Sequence, residues 1–317
     1  MATATLPDTA ETNKPAKPAK ARPSDRARSE NRVGWRLAGP AVFVMLLVTA
    51  WPMLRALYLS LFNYRLTDPD AREFVWFQNF GVVLSDPLWW KAVGVAVLIM
   101  VVTVTVAIEL VIGFAFAVVM HRIIFARGVV RTSILVPYGI ITVVSAYAWL
   151  YAFQTGSGFV NQWFHLGADQ NTFGGFWGSI LVICLAEIWK TTPFVSLLLL
   201  AGLAQVPEDM LEAAKVDGAT AWQRLYKITL PTMRAAIMVA VLFRALDAYR
   251  IFDSPFIMTG FANGTAPPSG LVYSAMIQRV ELGLGSAMSV LLFLSVLIIA
   301  FALMKAFRVD LSQARGE

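Results

Sequence analysis

The polar stretch Glu212-Ala213-Ala214-Lys215-Val216-Asp217-Gly218 decides how the chain is organised, and Ile228-Thr229-Leu230-Pro231 follows it after nine residues. Long apolar runs lie on both sides of this segment, at 176–204 and 229–260. A helix needs about 20 apolar residues to cross the hydrocarbon core of a bilayer, and both runs are long enough. The polar stretch carries charges that lipid does not accommodate. The chain is therefore predicted to leave the membrane here and to return to it.

Local signals predict a short helix within this polar segment. Glu208 and Asp209 follow Pro207, and both proline and acidic residues favour the first turn of a helix. Gly218 suits the helix end, because glycine adopts the left-handed C-terminal conformation without a steric penalty. The two alanines of the stretch are small, so the backbone of a partner can approach them closely. The alternative is an ordinary short interfacial helix between two spans.

The composition is that of a membrane protein. Of the 317 residues, 58% are hydrophobic and only 15% are charged, which is too apolar for a soluble domain of this length. The formal net charge of +6 does not predict a nucleic-acid partner, because eight of the 26 Lys and Arg lie in the first 36 residues. A single cysteine, Cys184, excludes an intrachain disulfide. The two histidines lack the neighbouring Cys or carboxylate cluster that would predict a metal site.

Six apolar stretches are long enough to cross the bilayer, so we predict an all-α integral membrane protein with six transmembrane helices. The stretches are 37–61, 88–120, 129–153, 176–204, 229–260 and 284–306. Residues 1–34 are rich in Ala, Pro, Lys and Arg and predict a disordered basic tail. Residues 35–308 form the six-span domain, which includes the loop 205–228. Residues 309–317 form a short C-terminal tail.

The distribution of basic residues predicts the orientation in the membrane. If the N-terminal tail is cytoplasmic, the cytoplasmic segments hold 17 Lys and Arg and the outer segments hold 3. Basic residues are enriched in cytoplasmic loops. We therefore expect a multi-pass protein of the cytoplasmic membrane with both termini and the loop 205–228 on the cytoplasmic side.

Charged residues within the spans need a structural or functional reason, because they are costly in a bilayer. Arg244, Asp247, Arg250 and Asp253 are spaced three apart with alternating sign, so they are expected to pair along one face of the fifth span. This stripe either fixes helix packing or lines a water-filled path. Glu109, alone in the second span, is expected to face the bundle interior and to pair with a basic residue of another helix.

The spacing of the organising stretch resembles that of a known family. Read as Glu-Ala-Ala, three residues, Gly, nine residues and Ile-x-Leu-Pro, it is similar to the permeases of importers driven by ATP-binding cassettes. In that family the segment is a cytoplasmic loop whose short helix docks into a groove of the ATPase subunit. The resemblance implies an ATPase-coupling role for Glu208, Asp209, Glu212, Ala213, Ala214, Asp217 and Gly218.

Further matches resemble the sugar permeases of the maltose type and extend the resemblance over residues 35–308. The region 244–253 is similar to their fifth span, and 283–290 is similar to the start of their last span. The family's usual Gly-Gly-Gly-Pro is replaced here by Gly260-Phe261-Ala262-Asn263-Gly264, which leaves the shape of this outer loop open. The fold expected from the resemblance is the six-helix permease fold of the maltose type.

The resemblance also implies the function and the partners. The chain would form half of the path of an ATP-driven sugar importer, with a disaccharide such as trehalose as the leading expectation. It would pair with a second homologous permease, two ATPase subunits and an extracytoplasmic sugar-binding protein or lipoprotein. The expected substrate path includes Glu187, Trp189, Lys190, Arg244, Asp247, Arg250 and Asp253.

The chain itself is expected to be non-catalytic. It contains no Gly-x-x-x-x-Gly-Lys-Ser/Thr loop, so ATP and Mg²⁺ are expected on the partner ATPases and no cofactor on this chain. One alternative is an ion-coupled secondary transporter that uses the charged stripe 244–253, although no inverted repeat is visible. A membrane enzyme is the other alternative, but the sequence shows no catalytic Ser/His/Asp set or paired carboxylates.

Overall fold

The computed structural model describes residues 25–101, 105–164 and 171–307. These residues form fifteen α-helices and one antiparallel hairpin of two strands. The helices are α1 (Asp25–Ser60), α2 (Gln78–Ser85), α3 (Pro87–Val101), α4 (Thr105–Arg122), α5 (Arg127–Gly139), α6 (Thr142–Ala152), α7 (Phe159–Trp163), α8 (Phe176–Leu203), α9 (Glu208–Val216), α10 (Ala221–Arg224), α11 (Leu230–Thr232), α12 (Arg234–Tyr249), α13 (Asp253–Thr259), α14 (Pro268–Tyr273) and α15 (Leu282–Ala306). The strands are β1 (Phe62–Arg65) and β2 (Asp68–Phe74).

The predicted number of six spans is reached in the described residues if each bent pair of helices counts as one span. Three helices are long and apolar enough to cross a membrane, namely Val33–Ser60 within α1, α8 and α15. Three bent pairs qualify if each counts as one span: α2 with α3, α5 with α6, and Ala221–Thr232 with α12. The pairs bend by 67°, 87° and 69°. The predicted stretch 88–120 contains both α3 and α4, and residues 102–104 between them lie outside the described part.

Two stretches that the sequence predicts as continuous are broken near prolines. In 129–153, α5 ends just after Pro137 and α6 begins at Thr142. In 229–260, α12 ends at Tyr249 and α13 begins at Asp253, with Pro255 in its first turn. Proline is tolerated in a first turn but clashes with the preceding turn of a continuous helix. The prolines therefore explain why these spans divide.

Helix α8 is the centre of the bundle and packs against α4, α5, α6, α12 and α13. Its fully buried side chains include Val182, Ile183, Val195 and Leu199, and they hold the helices together by close packing, because lipid tails are as apolar as these side chains. A Cβ atom on Gly202 would lie 2.4 Å from the Cβ of Ala236. The absence of a side chain at Gly202 thus lets α8 and α12 approach closely at this end.

The hairpin of β1 and β2 is fastened to the start of α15. Arg65 forms a 2.7 Å ion pair with Glu281, and the backbone N–H of Leu66 donates to the carbonyl of Val280. The guanidinium of Arg72 lies over the ring of Phe62, 4.0 Å from its centroid. An isolated two-stranded hairpin is marginally stable, so these contacts account for its presence between α1 and α2.

The chain divides into two units between Leu54 and Arg55, and every residue predicted for a functional site belongs to the second unit. The predicted disordered tail 1–34 needs a correction, because the structure has helix from Asp25 onwards. Residues 25–34 contain no proline, and a long helix that follows removes the cost of nucleation. Residues 1–24 and the predicted C-terminal tail 309–317 lie outside the described residues.

Candidate functional site: the α9 loop and a buried ion cluster

Helix α9 has the start and the end that the sequence predicts. It begins directly after Pro207, with Glu208 and Asp209 in its first turn. At its end Gly218 has φ +76°, and its N–H donates to the carbonyl of Lys215. The N–H of Ala219 donates to the carbonyl of Ala214 at 2.9 Å. These two bonds form a Schellman motif, which satisfies the last carbonyls of the helix.

One face of α9 is anchored and the other is exposed. Val206 is buried before the helix begins, and Leu211 packs on the same apolar cluster as Leu199 and Met233. Ala214 is half-buried, and the other residues predicted to meet a partner are exposed: Glu208, Asp209, Glu212, Ala213, Asp217 and Gly218. The apolar Val216 is 87% exposed. The segment therefore presents a mixed acidic and small-residue surface on a fixed base.

The α9 segment is joined to α12 by a nearly continuous helical path. Thr220 and Gln223 form a capping box at the start of α10, which satisfies two free backbone donors. A π-helical turn, Leu225–Thr229, then leads into α11. Pro231 lies in α11, and the path bends by 69° before α12. Because proline cannot donate to the preceding turn, it explains both the irregular turn and the bend.

A cavity of about 760 Å³ separates the α9 loop from the end of α4. Its lining includes the apolar side chains of Phe114 and Leu203. The basic side chains that line it come from α4, α5, α9 and α10, and Glu212 of α9 lines it as well. The basic residues are Arg122, Arg127, Lys215 and Arg224. Among the described residues these groups form no ion pairs with Glu212, so the cavity leaves both signs of charge available.

A second polar group lies inside the helix bundle, around Arg244 of α12. Its Nε donates to both carboxylate oxygens of Glu109, at 3.1 and 2.8 Å. Its Nη2 donates to Glu187 at 3.4 Å, and its Nη1 donates to Asp247 at 3.1 Å. The side chains of Arg244 and Glu109 are 2% and 0% exposed. Charges that are buried this deeply need close partners, and the cluster supplies them.

Two hydroxyl groups complete this ion cluster. Thr191 of α8 donates to Glu109 at 2.8 Å, and Ser254 of α13 donates to Glu187 at 2.6 Å. The expectation that Glu109 pairs with a basic residue of another helix is confirmed. The cluster joins α4, α8, α12 and α13, because each helix contributes at least one of these side chains.

The predicted stripe 244–253 is correct only in its first half. Arg244 and Asp247 pair as expected, and the Asp247 side chain is 64% exposed. Arg250 is exposed and its Nε donates to the backbone carbonyl of Leu246. Asp253 is exposed at the start of α13. The prediction of one continuous pairing stripe is wrong beyond Asp247, since the break after Tyr249 removes the helical spacing on which it depended.

The fourth-span residues of the predicted path are divided between the interior and the surface. Glu187 belongs to the buried ion cluster. Lys190 is half-buried, and its Nζ donates to the hydroxyl of Thr142 in α6. Trp189 is partly exposed, and its ring meets the edge of Trp149 with centroids 6.2 Å apart. The structure therefore places Trp189, Asp247 and Arg250 at the surface of the bundle and Glu187 and Arg244 inside it.

Sequence reasoning missed the hydroxyl partners of the cluster. Thr191 lies four residues after Glu187, so helical spacing could have placed both on one face. Ser254 carries no such signal, because the break before α13 determines its position. The cluster brings one guanidinium, that of Arg244, together with the carboxylates of Glu109, Glu187 and Asp247. Among the described residues, no three His, Cys, Asp or Glu side chains come together as a metal site requires.

Comparison with known families identifies the chain. Residues 109–312 match the family described as binding-protein-dependent transport system inner membrane component. The chain belongs to this family. Its members are membrane components of transporters, so the predictions of a transport permease and of a non-catalytic subunit are confirmed. The ion-coupled alternative is set aside, because the family serves systems that depend on a binding protein.

Curated relatives cover most of the chain. The trehalose transport system permease protein SugA of Mycobacterium tuberculosis is 47% identical over 88% of this chain and 90% of that protein. The trehalose/maltose transport system permease protein MalF of Thermococcus litoralis is 33% identical over 88% of this chain and 95% of that protein.

The fold also matches a solved structure. A bacterial ABC transporter involved in the import of the acidic polysaccharide alginate has a chain that matches with a TM-score of 0.74. The match covers 90% of this chain and 99% of that chain at 19% identity. This likeness confirms the predicted fold, that of an ABC importer permease.

Proposed function

We propose that this chain is a permease subunit of an ATP-driven importer of a disaccharide, with trehalose as the best candidate. The family assignment supports transport through the inner membrane. The substrate class is supported by two relatives that are named for trehalose or for trehalose and maltose, one of them at 47% identity. The observation that carries the proposal is the α9 segment, whose exposed surface and closed helix end match the ATPase-coupling role implied by its sequence.

The proposed assembly contains four further subunits and one delivered ligand. A second, homologous permease would complete the path, and two ATPase subunits would bind ATP and Mg²⁺, one of them docking on α9. A soluble or lipid-anchored receptor would deliver the sugar from outside. The charge bias of 17 basic residues against 3 supports a cytoplasmic position for the loop 205–228 and for both termini.

The geometry supports a mechanical mechanism. When ATP closes the ATPase pair, a groove that holds α9 would pull on its exposed face. The anchored face of α9 and the helical path through α10 and α11 would pass this displacement to α12. Because interiors are closely packed, α12 would move together with the helices that it contacts. The opening of the pathway would thus switch from one side of the membrane to the other.

Sugar contact is proposed for the surface members of the predicted path. Trp189 offers a partly exposed ring face, Asp247 offers carboxylate oxygens, and Arg250 offers guanidinium donors. Sugars present many hydroxyls, which charged groups bind by hydrogen bonds worth about 1.5–3 kcal/mol each. Lys190 and Asp253 would be further contacts. Glu187 and Arg244 are buried in the ion cluster and would support this surface without contacting the sugar.

Transport by the reconstituted complex tests the proposal. The chain, its partner permease and the ATPases are placed in vesicles, with ATP on the side of the α9 loop and sugar-loaded receptor on the other. We expect accumulation of labelled trehalose that requires both ATP and receptor. An excess of unlabelled maltose should compete less well than unlabelled trehalose. Uptake driven by an ion gradient without ATP would contradict the proposal, as would ATP-driven uptake with the two sides reversed.

A further inference from the structure

The buried ion cluster spans a gap in the backbone path. Helix α12 ends at Tyr249, and residues 250–252 are not helical before α13 begins at Asp253. The carbonyl of Ile251, within the gap, accepts a hydrogen bond from Ser269 of α14. The backbone between α12 and α13 is therefore tied to a third helix and belongs to neither α12 nor α13. A displacement of α12 therefore has no continuous helical route to α13.

The side chains supply a route that the backbone lacks. Arg244 lies in α12, before the gap, and donates to Glu187 of α8. The other carboxylate oxygen of Glu187 accepts from Ser254 of α13, beyond the gap. Two contacts thus connect α12 to α13, and both are buried.

Glu109 holds Arg244 in the orientation that this route needs. The Nε of Arg244 lies within 3.1 Å of both oxygens of Glu109. Thr191 fixes the carboxylate of Glu109 in turn, at 2.8 Å. A guanidinium presents its donors in one rigid plane, so fixing Nε also fixes the direction of the two terminal nitrogens. The terminal nitrogens are the atoms that meet Glu187 and Asp247.

Separation of the four helices at the ion cluster is electrostatically unfavourable. Movement of Arg244 away from Glu109 and Glu187 would leave unpaired charges in the interior of the bundle. An unpaired buried charge is much more costly than a pair. The low-energy response to a displacement of α12 is therefore a joint movement of α4, α8 and α13 with it.

We propose that Arg244 is a positioning residue that passes the displacement of α12 across the gap at 250–252 to α13, through Glu187 and Ser254. This inference rests on the proposed function, because it assumes that the α9 loop moves α12. It assigns to the cluster a role in coupling, beyond holding the helices together. Ser254 is the link to α13 that can be removed with the least disturbance, since its loss leaves the pairing of Arg244 with Glu109 intact.

The test compares Ser254→Ala with Ser196→Ala. Both serines are buried, but Ser196 donates only to the carbonyl of Pro193 within its own helix. In vesicles that contain the complete transporter, sugar imported per ATP hydrolysed is measured together with ATPase association. We expect Ser254→Ala to assemble, to retain receptor-stimulated hydrolysis and to import roughly tenfold less sugar per ATP, the factor that a hydrogen bond to a charged group is worth. Ser196→Ala should keep the wild-type ratio.

Two further variants test whether a lowered ratio of imported sugar to hydrolysed ATP has a purely structural cause. Ser254→Thr keeps the hydroxyl and should restore the ratio. Arg244→Lys keeps the charge but cannot reach both carboxylates with one planar group, so it should lower the ratio further while the ATPase stays bound.

An unchanged ratio in an assembled Ser254→Ala transporter would overturn the inference. Loss of assembly in that variant would also overturn it, because the contact would then serve folding. The proposed function fails by a different result, which is a wild-type complex that imports no sugar with ATP.

Discussion

At the residue scale, the exposed carboxylate of Asp247 connects the buried cluster to the surface of the bundle. One of its oxygens accepts from Arg244, whereas most of the side chain is exposed. Because the hydrogen bond to Arg244 already fixes this carboxylate, it can orient a sugar hydroxyl with little further loss of conformational freedom on binding. The exposure of Asp247 therefore favours a contact with the transported sugar over a role in packing alone.

Asp247→Asn tests this contact. Asparagine keeps the shape and an acceptor oxygen but removes the charge, so the hydrogen bond to a sugar hydroxyl should weaken. We expect a normally assembled transporter whose apparent affinity for the sugar falls about tenfold, the scale of a hydrogen bond to a charged group. Uptake kinetics measure this change. Asp70→Asn, on the exposed hairpin, is the control and should behave as wild type. Wild-type kinetics in assembled Asp247→Asn would remove Asp247 from the path.

The sequence predicts single residues well when their role is local. Gly218 could be assigned to the helix end because the Schellman motif depends only on neighbouring residues. The partner of Glu109 could be predicted as basic but not named, since Arg244 lies 135 residues away. The backbone conformation of Phe261 could not be predicted from its residue type. Phe261 adopts φ +65°, a conformation that favours glycine, and its ring packs with Phe252 and Phe256.

At the element scale, the junction between the hairpin and α15 depends on a close backbone approach. A Cβ atom on Gly283 would lie 2.0 Å from the carbonyl oxygen of Phe62 and 3.0 Å from the backbone nitrogen of Tyr64. Both atoms belong to β1, which the contacts of Arg65 hold in place. The strand cannot move aside without losing the contacts that stabilise it.

Gly283→Ala should therefore destabilise the protein. Overpacking of this kind costs about 1–3 kcal/mol, and it should lower the thermal unfolding temperature in detergent. Gly94→Ala is the matched control, because Gly94 lies within α3 and an added Cβ meets nothing within 4 Å. That substitution should raise the stability slightly, since alanine is the better helix former. An unfolding temperature of Gly283→Ala at or above that of Gly94→Ala would contradict the close approach.

The sequence predicts the spans better than their shapes. Long apolar runs are sufficient to locate helices, and each of the six predicted stretches overlaps one or more of the described helices. The bends were not predicted, because a proline within an apolar run permits either a kink or a full break, and tertiary packing decides between them. The hairpin was missed for a similar reason. Its strands depend on contacts with residues 280–283, which are distant in sequence.

At the scale of the whole molecule, the α9 segment and the buried ion cluster lie at different positions along α12. The α9 segment is at one end of α12, beyond the bend at Pro231. The ion cluster lies further along α12, where that helix meets α4, α8 and α13. Composition alone predicts the membrane class, and the spacing of the organising stretch predicts the family. The connection between the two features could not be predicted, because it depends on which helices pack together.

The central claim is that the α9 segment couples ATP hydrolysis to sugar import. Gly218→Val tests it, because a β-branched residue is strained at positive φ, whereas Gly218→Asn should be tolerated as the control. Ala214→Trp adds bulk where close approach is required. The decisive measurement is the ATPase that co-purifies with each variant, together with receptor-stimulated hydrolysis in vesicles. We expect Gly218→Val and Ala214→Trp to lose association or stimulation and Gly218→Asn to retain both. Full ATPase association and wild-type ATP-driven uptake in Gly218→Val and Ala214→Trp would contradict the claim.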